Sequence, residues 1–457
     1  MSTVAATTVA ATTVAATTVD TESPYQSYVY AYPHKTAYRP LPERPRLAEL
    51  WRGEKQDALS LYLHVPFCEV RCGFCNLFTR IGSPEGLTTA YLDALERQAR
   101  QVREALAPEA RFALAAFGGG TPTYLTAAEL ERLCDIAESG TGADLRAVPL
   151  SVEASPDTAT ADRLRVLAER GTTRLSLGVQ SFLDGEARAA VRPQKRAAVE
   201  AALGRVRDAG FPVLNIDLIY GIDGQTPASW IASLDAALAW RPEELYLYPL
   251  YVRPLTGLGR HAGTAANPAW DAQRLALYRA GRDHLLAEGY QQVSMRMFRR
   301  TGAASASAGE YACQTDGMVG LGCGARSYTS RLHYSFDYAV DAREVRRIID
   351  DYVAAPDFSR AELGWVMTDE ETRRRHLVQS LLQGEGVDLA AYRERFGSTP
   401  ELDFPAELAE FAARGWLAAD DPARLLLSPE GLAWSDAVGP RLFSAGVRAN
   451  MAEYEAK

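Results

Sequence analysis

Paired cysteines, an excess of basic residues and a long apolar run are all missing from this chain. Its six cysteines in 457 residues fall as one group of three, Cys68, Cys72 and Cys75, with Cys134, Cys313 and Cys323 scattered. That usage argues against a disulfide framework and for a reducing, cytoplasmic setting. Lysine and arginine number 49 against 58 acidic residues, a net charge of -9. The totals therefore do not advertise the basic face that neutralises nucleic-acid phosphates. No stretch approaches the ~20 apolar residues of a transmembrane helix. Neither nucleic acid nor a membrane is expected as a partner. The composition, 47% hydrophobic and 23% charged, is ordinary for a globular protein, and the length calls for more than one structural unit.

What the chain does have begins with a tail. Residues 4–18 are three copies of Val-Ala-Ala-Thr-Thr, a period that fits neither helix nor strand and predicts a disordered segment over 1–22. An arm at 23–57 follows, opening with the tyrosine-dense Pro24–Tyr38; rings in that number are expected to pack against the body of the protein. From residue 58 strand-like and helix-like blocks alternate. Apolar runs at 59–65, 112–117, 148–154, 172–179, 212–219 and 244–250 are separated by amphipathic stretches at about 88–106, 126–138, 158–170, 195–209 and 226–240. Thr126 and Glu129 are placed to form a capping box, and Gly140, Gly171 and Gly210 fall where helix C-caps belong. The pattern predicts an α/β fold: a partial (β/α)6, TIM-like barrel over 58–300, with a doubly wound open sheet as the alternative. A connecting Gly-rich strand region is expected at 301–360. A mostly helical domain is expected at 361–457, opened by a second capping box at Thr368–Glu371 and carrying Leu377, Val378, Leu381 and Leu382 on one face. It reads as a helix pair with a small β-wing, and the acidic balance favours a substrate lid over a DNA-binding module.

Directly after the first apolar run comes Leu61-Tyr-Leu-His-Val-Pro-Phe-Cys-Glu-Val-Arg-Cys-Gly-Phe-Cys-Asn76, a C-x3-C-x2-C pattern. Structural zinc takes four nitrogen or sulfur ligands, and neither a second C-x2-C nor a histidine pair follows here. Thiolates also suit iron–sulfur clusters, and a [4Fe–4S] cube held by three of them keeps one iron free for an exchangeable ligand. Ordinary buried cysteines, or a partial zinc site, are the alternatives.

In either α/β architecture the reactive residues belong at the C-terminal ends of the strands, and polar residues do occur there. The second run ends in Phe117-Gly-Gly-Gly-Thr-Pro-Thr123, whose glycines permit close backbone approach and can offer free N–H groups. The third ends near Glu153 and the fourth in Gly178-Val-Gln-Ser-Phe182, with Val191-Arg-Pro-Gln194 in its loop. The fifth carries Asp217 between isoleucine and leucine. Singly, each could be a core ion pair or a loop cap. Jointly they imply a ligand, because a buried charge is costly without a partner.

The cysteine stretch resembles the cluster loop of radical S-adenosylmethionine (SAM) enzymes, in particular the group similar to oxygen-independent coproporphyrinogen III oxidase, over about residues 24–440. That resemblance implies a [4Fe–4S] cluster on Cys68, Cys72 and Cys75 that chelates SAM. It places Gly118, Gly119, Gly120 and Thr121 by the methionyl amino group, Glu153 on the methionyl part and Arg192 on its carboxylate. Gln180 and Asp217 fall on the ribose, Phe74 beside adenine and Tyr62 near the sulfonium as a catalytic residue. Gln314 corresponds to a contact with a second SAM, the Tyr-rich arm to a segment near the substrate, and Gly320–Ser327 to a Gly-rich strand and turn. His64 matches the family's His-x-Pro-Phe-Cys pattern and is expected to make a structural hydrogen bond. Cys313 and Cys323, without further partners, read as small buried residues.

Three activities are implied by the resemblance. First is a radical enzyme modifying a small molecule, with C-methylation by a second SAM as one form. Second is a haem chaperone that binds haem without turnover. Third is the coproporphyrinogen III dehydrogenase of porphyrin and haem biosynthesis. The dehydrogenase type has a fourth cysteine two residues after the last ligand, where this chain has Leu77, which places that reaction last. The partners implied are a small-molecule substrate or haem, and an electron donor such as flavodoxin or ferredoxin.

Overall fold

The computed structural model describes residues 22–262, 267–303, 317–419 and 421–454. The repeat at 4–18, Cys313 and Gln314 lie outside the described residues. Six strands, β1 (Leu59–Val65), β2 (Phe112–Gly119), β3 (Leu150–Ala154), β4 (Thr172–Gln180), β5 (Val213–Tyr220) and β6 (Glu244–Pro249), pair in chain order, each parallel to the next. Helices α1 (Leu87–Ala105), α2 (Ala127–Thr141), α3 (Ala161–Glu169), α4 (Arg196–Ala209) and α5 (Pro227–Leu238) fill the crossovers. The order never reverses, so right-handed crossovers put every helix on one face of the sheet. A doubly wound sheet requires a reversal. The fold is thus the partial (β/α)6 barrel.

Alternation along the strands decides what each face holds. Leu59, Leu61, Leu63 and Val65, with Leu175, Leu177, Val179, Leu214, Ile216, Leu218, Leu245 and Leu247, are buried in the core shared with the helices. The intervening positions point into the barrel and are mostly polar: Ser60, Tyr62, His64, Glu153, Arg174, Ser176, Gln180, Asn215, Asp217, Glu244, Tyr246 and Tyr248. A full TIM barrel packs its interior with branched aliphatic side chains. This one is lined for a polar ligand.

The sheet extends beyond both barrel edges. Tyr290–Gln292 and Met297–Arg300 add antiparallel strands beyond β6. Met318–Leu321 lies parallel beside β1, followed antiparallel by Arg326–Tyr328, Leu332–Ser335 and Leu363–Val366. Region 301–360, expected as a connecting Gly-rich strand region, supplies strands of the main sheet. The helical domain starts after Val366 rather than at 361. It has its own core of Leu377, Val378, Leu381, Leu382, Tyr392, Phe411 and Trp416, and Val387–Asp388 pairs with Arg424–Leu425 as the small wing.

Local signals hold with two exceptions. Thr126 and Glu129 form the reciprocal capping box, but the same helix continues through Gly140 to a left-handed C-cap at Gly142. Gly140 is a packing residue instead, since a Cβ there would stand 2.8 Å from the Cβ of Ala99 on α1. At Thr368 only half a box forms: its hydroxyl accepts the Glu371 N–H, while the Glu371 carboxylate turns to Tyr32 and Ser444. The arm packs as its rings predict. Tyr25 lies edge-on to Tyr220 and Tyr251, Tyr28 meets Tyr248, and Tyr32 packs on Phe443 of the helical domain. Glu22, expected within the tail, pairs with Arg414 and Arg441.

Candidate functional site

The cysteine loop leaves the C-terminal end of β1 and is pinned by its one internal glycine. The Gly73 N–H donates to Ala190 O at 3.2 Å and Val191 O at 3.3 Å, and Gly73 O accepts from Leu258 N at 2.7 Å. A Cβ at 73 would stand 2.7 Å from that of Val191, so the approach requires glycine. Cys68 Sγ lies 3.5 Å from Thr121 Oγ1, and Cys75 Sγ 3.9 Å from Thr79 Oγ1. Burial pushes the Cys68 thiol up to about 12, with the charges of Cys75 and Cys72 adding and the Thr121 hydroxyl opposing. Among the described residues no three His, Cys, Asp or Glu side chains close on a single metal ion. Three soft donors, near enough to feel one another's charge and without a fourth, fit a larger inorganic cube.

Arg192 reaches this loop from the β4 side. It donates from Nη1 to Cys72 Sγ at 3.1 Å, from Nε to Gln194 Oε1 at 2.6 Å and from Nη2 to Gly178 O at 2.5 Å. Gln194 is itself held by Ser181 O at 3.2 Å and by Val179 O. Two non-glycine residues flank the loop in left-handed backbone, Gln180 at φ 70° and Val191 at φ 51°. The pairing of β4 with β5 slips between Gly178 and Gln180. Strain of this kind persists where surrounding structure enforces it, and here Arg192, next to Val191, reaches Cys72. The Gln180 amide folds beside Gly178, where an added Cβ would sit 3.0 Å from Nε2.

Glu153 and Asp217 stand in the lumen, reachable by water but ringed by protein. Glu153 Oε2 accepts the Gly119 N–H at 3.0 Å. Burial, with the Asp217 charge adding, pushes its pKa up to about 7, while the Gly119 N–H and Arg174 oppose. Asp217 accepts from Asn215 Nδ2 at 2.7 Å and Ser176 Oγ at 3.3 Å; burial raises its pKa too, against Arg174, Asn215 and Ser176. Among the described residues neither acid has a cation within ion-pair distance. Arg174 is already committed, 2.7 Å from Glu244.

The glycine turn differs from its expectation. Rather than offering free N–H groups, it spends them internally: Gly119 on Glu153, Gly120 on Val65 O at 2.8 Å and Thr121 on Phe67 O at 2.8 Å. A methionyl ammonium is itself a donor and requires acceptors, of which the Glu153 carboxylate is one. Phe74 packs with Ala190, Ile219, Ile222 and Leu250, an apolar wall at the ends of β5 and β6. The Tyr62 hydroxyl lies 3.2 Å from His64 Nδ1, and His64 Nε2 lies 3.3 Å from Phe78 O. That ring is wedged between Gly119 and Gly324, where a Cβ would approach it to 2.5 and 2.2 Å. It holds the turn in place.

Cys68, Cys72, Cys75, Phe74, Gly118–Thr121, Glu153, Gln180 and Arg192 lie close to or beyond the C-terminal ends of their strands, Tyr62 and Asp217 lie inside theirs, and Gln314 lies outside the described residues. Sequence reasoning missed the supports Ser176, Asn215, Arg174 and Gln194. Polar residues at every second position of β4 and β5 were the signal that marked the first three.

The family model described as the radical SAM superfamily matches residues 62–237, and that of the HemN C-terminal domain matches residues 367–434. The chain is 28% identical over 359 residues to heme chaperone HemW of Bacillus subtilis, covering 78% of this chain and 92% of that protein. It is 29% identical over 362 residues to the oxygen-independent coproporphyrinogen III oxidase of Cereibacter sphaeroides, covering 75% and 77%. In fold it is similar to the coproporphyrinogen III oxidase HemN of Escherichia coli, a radical SAM enzyme, with a TM-score of 0.77 at 23% identity over 91% of this chain and 96% of that one.

Proposed function

The chain belongs to the radical SAM proteins of the oxygen-independent coproporphyrinogen III oxidase-like family, and from that premise we propose that it abstracts hydrogen from a small molecule held in the barrel lumen. The observation that carries this reading is the pair of carboxylates, Glu153 and Asp217, which have no cation at ion-pair distance among the described residues, facing a three-cysteine loop braced by Arg192. Cys68, Cys72 and Cys75 would hold the [4Fe–4S] cluster, whose chemistry is the one-electron cleavage of SAM to methionine and a 5′-deoxyadenosyl radical. Glu153 accepts from the methionyl ammonium. Arg192 presents the planar fork that suits the methionyl carboxylate. Asp217 and Gln180 accept from the ribose hydroxyls, Phe74 covers the adenine, and Tyr62 borders the sulfonium.

The electron enters from outside. Val70, Leu77 and Val191, 42%, 49% and 49% exposed, surround the cluster loop. Apolar side chains left in water there suit the docking of a flavodoxin- or ferredoxin-type donor.

A haem chaperone is the second reading, favoured by the Bacillus subtilis relative. Against it, His333 is fully buried with Nε2 2.6 Å from Arg375 Nη1, and His376 packs between Tyr392 and Phe396. Neither is presented for axial ligation. Porphyrinogen oxidation ranks third, since Leu77 stands where that type has a cysteine.

Anaerobic reconstitution followed by dithionite and SAM, with products quantified by mass spectrometry, tests the order. 5′-Deoxyadenosine that requires all three cysteines is the expected result. S-Adenosylhomocysteine formed alongside it would assign methyl transfer. No cleavage by protein with a full cluster and bound SAM would overturn the enzyme reading, and haem titration would then decide for the chaperone.

A further inference from the structure

The lumen carries charge of both signs. One group is acidic, Glu153 and Asp217. At the arm end, Lys35, Arg253 and Arg326 gather about His34, whose imidazole is pushed down to about 3 by burial and then by those three charges. Among the described residues none of the three cations has a carboxylate within ion-pair distance. Arg174, Arg274 and Arg296, by contrast, have Glu244, Asp271 and Asp436. Buried charge is costly unless paired, so these cations call for an anion that no described carboxylate supplies. Arg326 shows it most directly, because its Nη1 is buried with no hydrogen-bond partner.

What stands among these cations is a phenol. Arg326 lies 4.7 Å from the Tyr30 ring centroid and 5.8 Å from that of Tyr328, and Lys35 Nζ lies 3.3 Å from that of Tyr338. Burial raises the Tyr30 pKa, but the charges and hydrogen bonds of Lys35 and Arg326 outweigh it and leave the group below its ordinary value. The arginine enters from a hairpin so tight that a Cβ on Gly320 would stand 2.1 Å from Arg326 O, and Gly320 is in register with Tyr62 on β1. The cations therefore border the same lumen as the proposed SAM site.

We infer that Arg326 and Lys35, with Tyr30 between them, recognise a carboxylate or phosphate group of the substrate, Tyr30 holding that anion's place until it binds. The inference rests on the reading in which a small molecule enters the lumen. An arginine fork matches either group, and the aromatic rings around it suit a planar body behind the charge.

Two probes separate the sources: benzene-1,3,5-tricarboxylate and inorganic phosphate, titrated calorimetrically into SAM-loaded, cluster-reconstituted protein. One of them is expected to bind, and its identity assigns the group. Arg326→Met and Lys35→Met are each expected to weaken that binding tenfold or more, and Tyr30→Phe to tighten it severalfold. Arg260→Gln, on an exposed arginine paired with Asp341, is expected to change nothing. Binding of neither probe by the unaltered protein overturns the inference, as does equal affinity in Arg326→Met. Deoxyadenosine formation by the unaltered protein is measured in parallel. Its loss with anion binding intact would sink the radical reading alone, and the reverse pattern would sink this inference alone.

Discussion

The carboxylate of Glu153 accepts the backbone N–H of Gly119 at 3.0 Å, tying the acid at the end of β3 to the glycine turn at the end of β2. A Cβ on Gly118 would come within 3.0 Å of the same carboxylate. The glycines are there to admit the acid as much as any ligand. One strand end thus supplies the charge, and its neighbour supplies the space and the hydrogen bond that aim it.

A titration follows from the position of this acid. Its pKa in the fold, about 7, lies above the ordinary carboxylate value, so the folded protein binds a proton that the unfolded chain releases earlier. That contribution to stability is present at low pH and is lost as pH rises towards 7. Without SAM, the melting temperature of Glu153→Gln should gain on the unaltered protein between pH 5 and 8. SAM affinity should rise over the same interval in the unaltered protein, as the carboxylate forms, and stay flat in the variant. An unchanged pH profile in Glu153→Gln would remove Glu153 from the SAM site.

Arg192 offers a geometric test. Its fork serves Cys72, Gln194 and Gly178 at once, and a lysine ammonium lacks that planar reach. Losing charge-assisted hydrogen bonds worth about 1.5–3 kcal/mol, Arg192→Lys is expected to weaken SAM binding roughly ten- to a hundredfold. Iron and sulfide content should stay full, because the three thiols remain. Cys72→Ala should behave oppositely and abolish the cluster itself; an intact cubane in that variant would refute the ligand assignment.

Gly119 tests the turn without touching a charge. Its φ is 113°, and a Cβ there would stand 2.5 Å from the His64 ring. Gly119→Ala combines backbone strain with overpacking against a ring that is wedged on its far side, at a cost of about 3 kcal/mol. Urea denaturation should show the midpoint fall with little change in slope. A variant of undiminished stability would mean that the turn is looser than its contacts indicate.

The barrel was legible because apolar runs and amphipathic stretches alternate at crossover lengths, and the cysteines because their spacing leaves few other readings. The polar lumen was written in the sequence too, as Arg174, Ser176 and Gly178 or Asn215 and Asp217 at every second position. Beside the longer aliphatic pattern it reads as noise, since nothing local distinguishes an inward from an outward polar residue. The partner of the Met318–Leu321 strand was hidden for another reason. The strand pairs with Leu59–Val65, more than two hundred and fifty positions earlier, and such pairing leaves no local trace. Glu371 looked like half of a capping box because the partner that captures it, Tyr32, is equally remote.

That capture makes the arm's anchorage testable. The Tyr32 hydroxyl donates to Glu371, Ser444 Oγ donates to Glu371 Oε1 at 2.7 Å, and the Ser444 N–H donates back to the Tyr32 oxygen at 3.2 Å. The knot is closed and buried, so removing its acceptor leaves two donors unsatisfied. Glu371→Ala should cost about 1–3 kcal/mol, whereas Tyr32→Phe, which deletes one donor and keeps the ring on Phe443, should cost about 1 kcal/mol. The double variant should cost less than the sum, because the partners act as one unit. Loosening the anchor should also release the arm, so chymotrypsin should cleave near Tyr28 and Tyr30 faster in Glu371→Ala than in the unaltered protein. SAM affinity should hold, because Glu371 lies in the helical domain and not among the lumen groups that face SAM. Cleavage at the unaltered rate, with stability reduced as expected, would show that the arm is held by its rings on Tyr220, Tyr248 and Tyr251 alone.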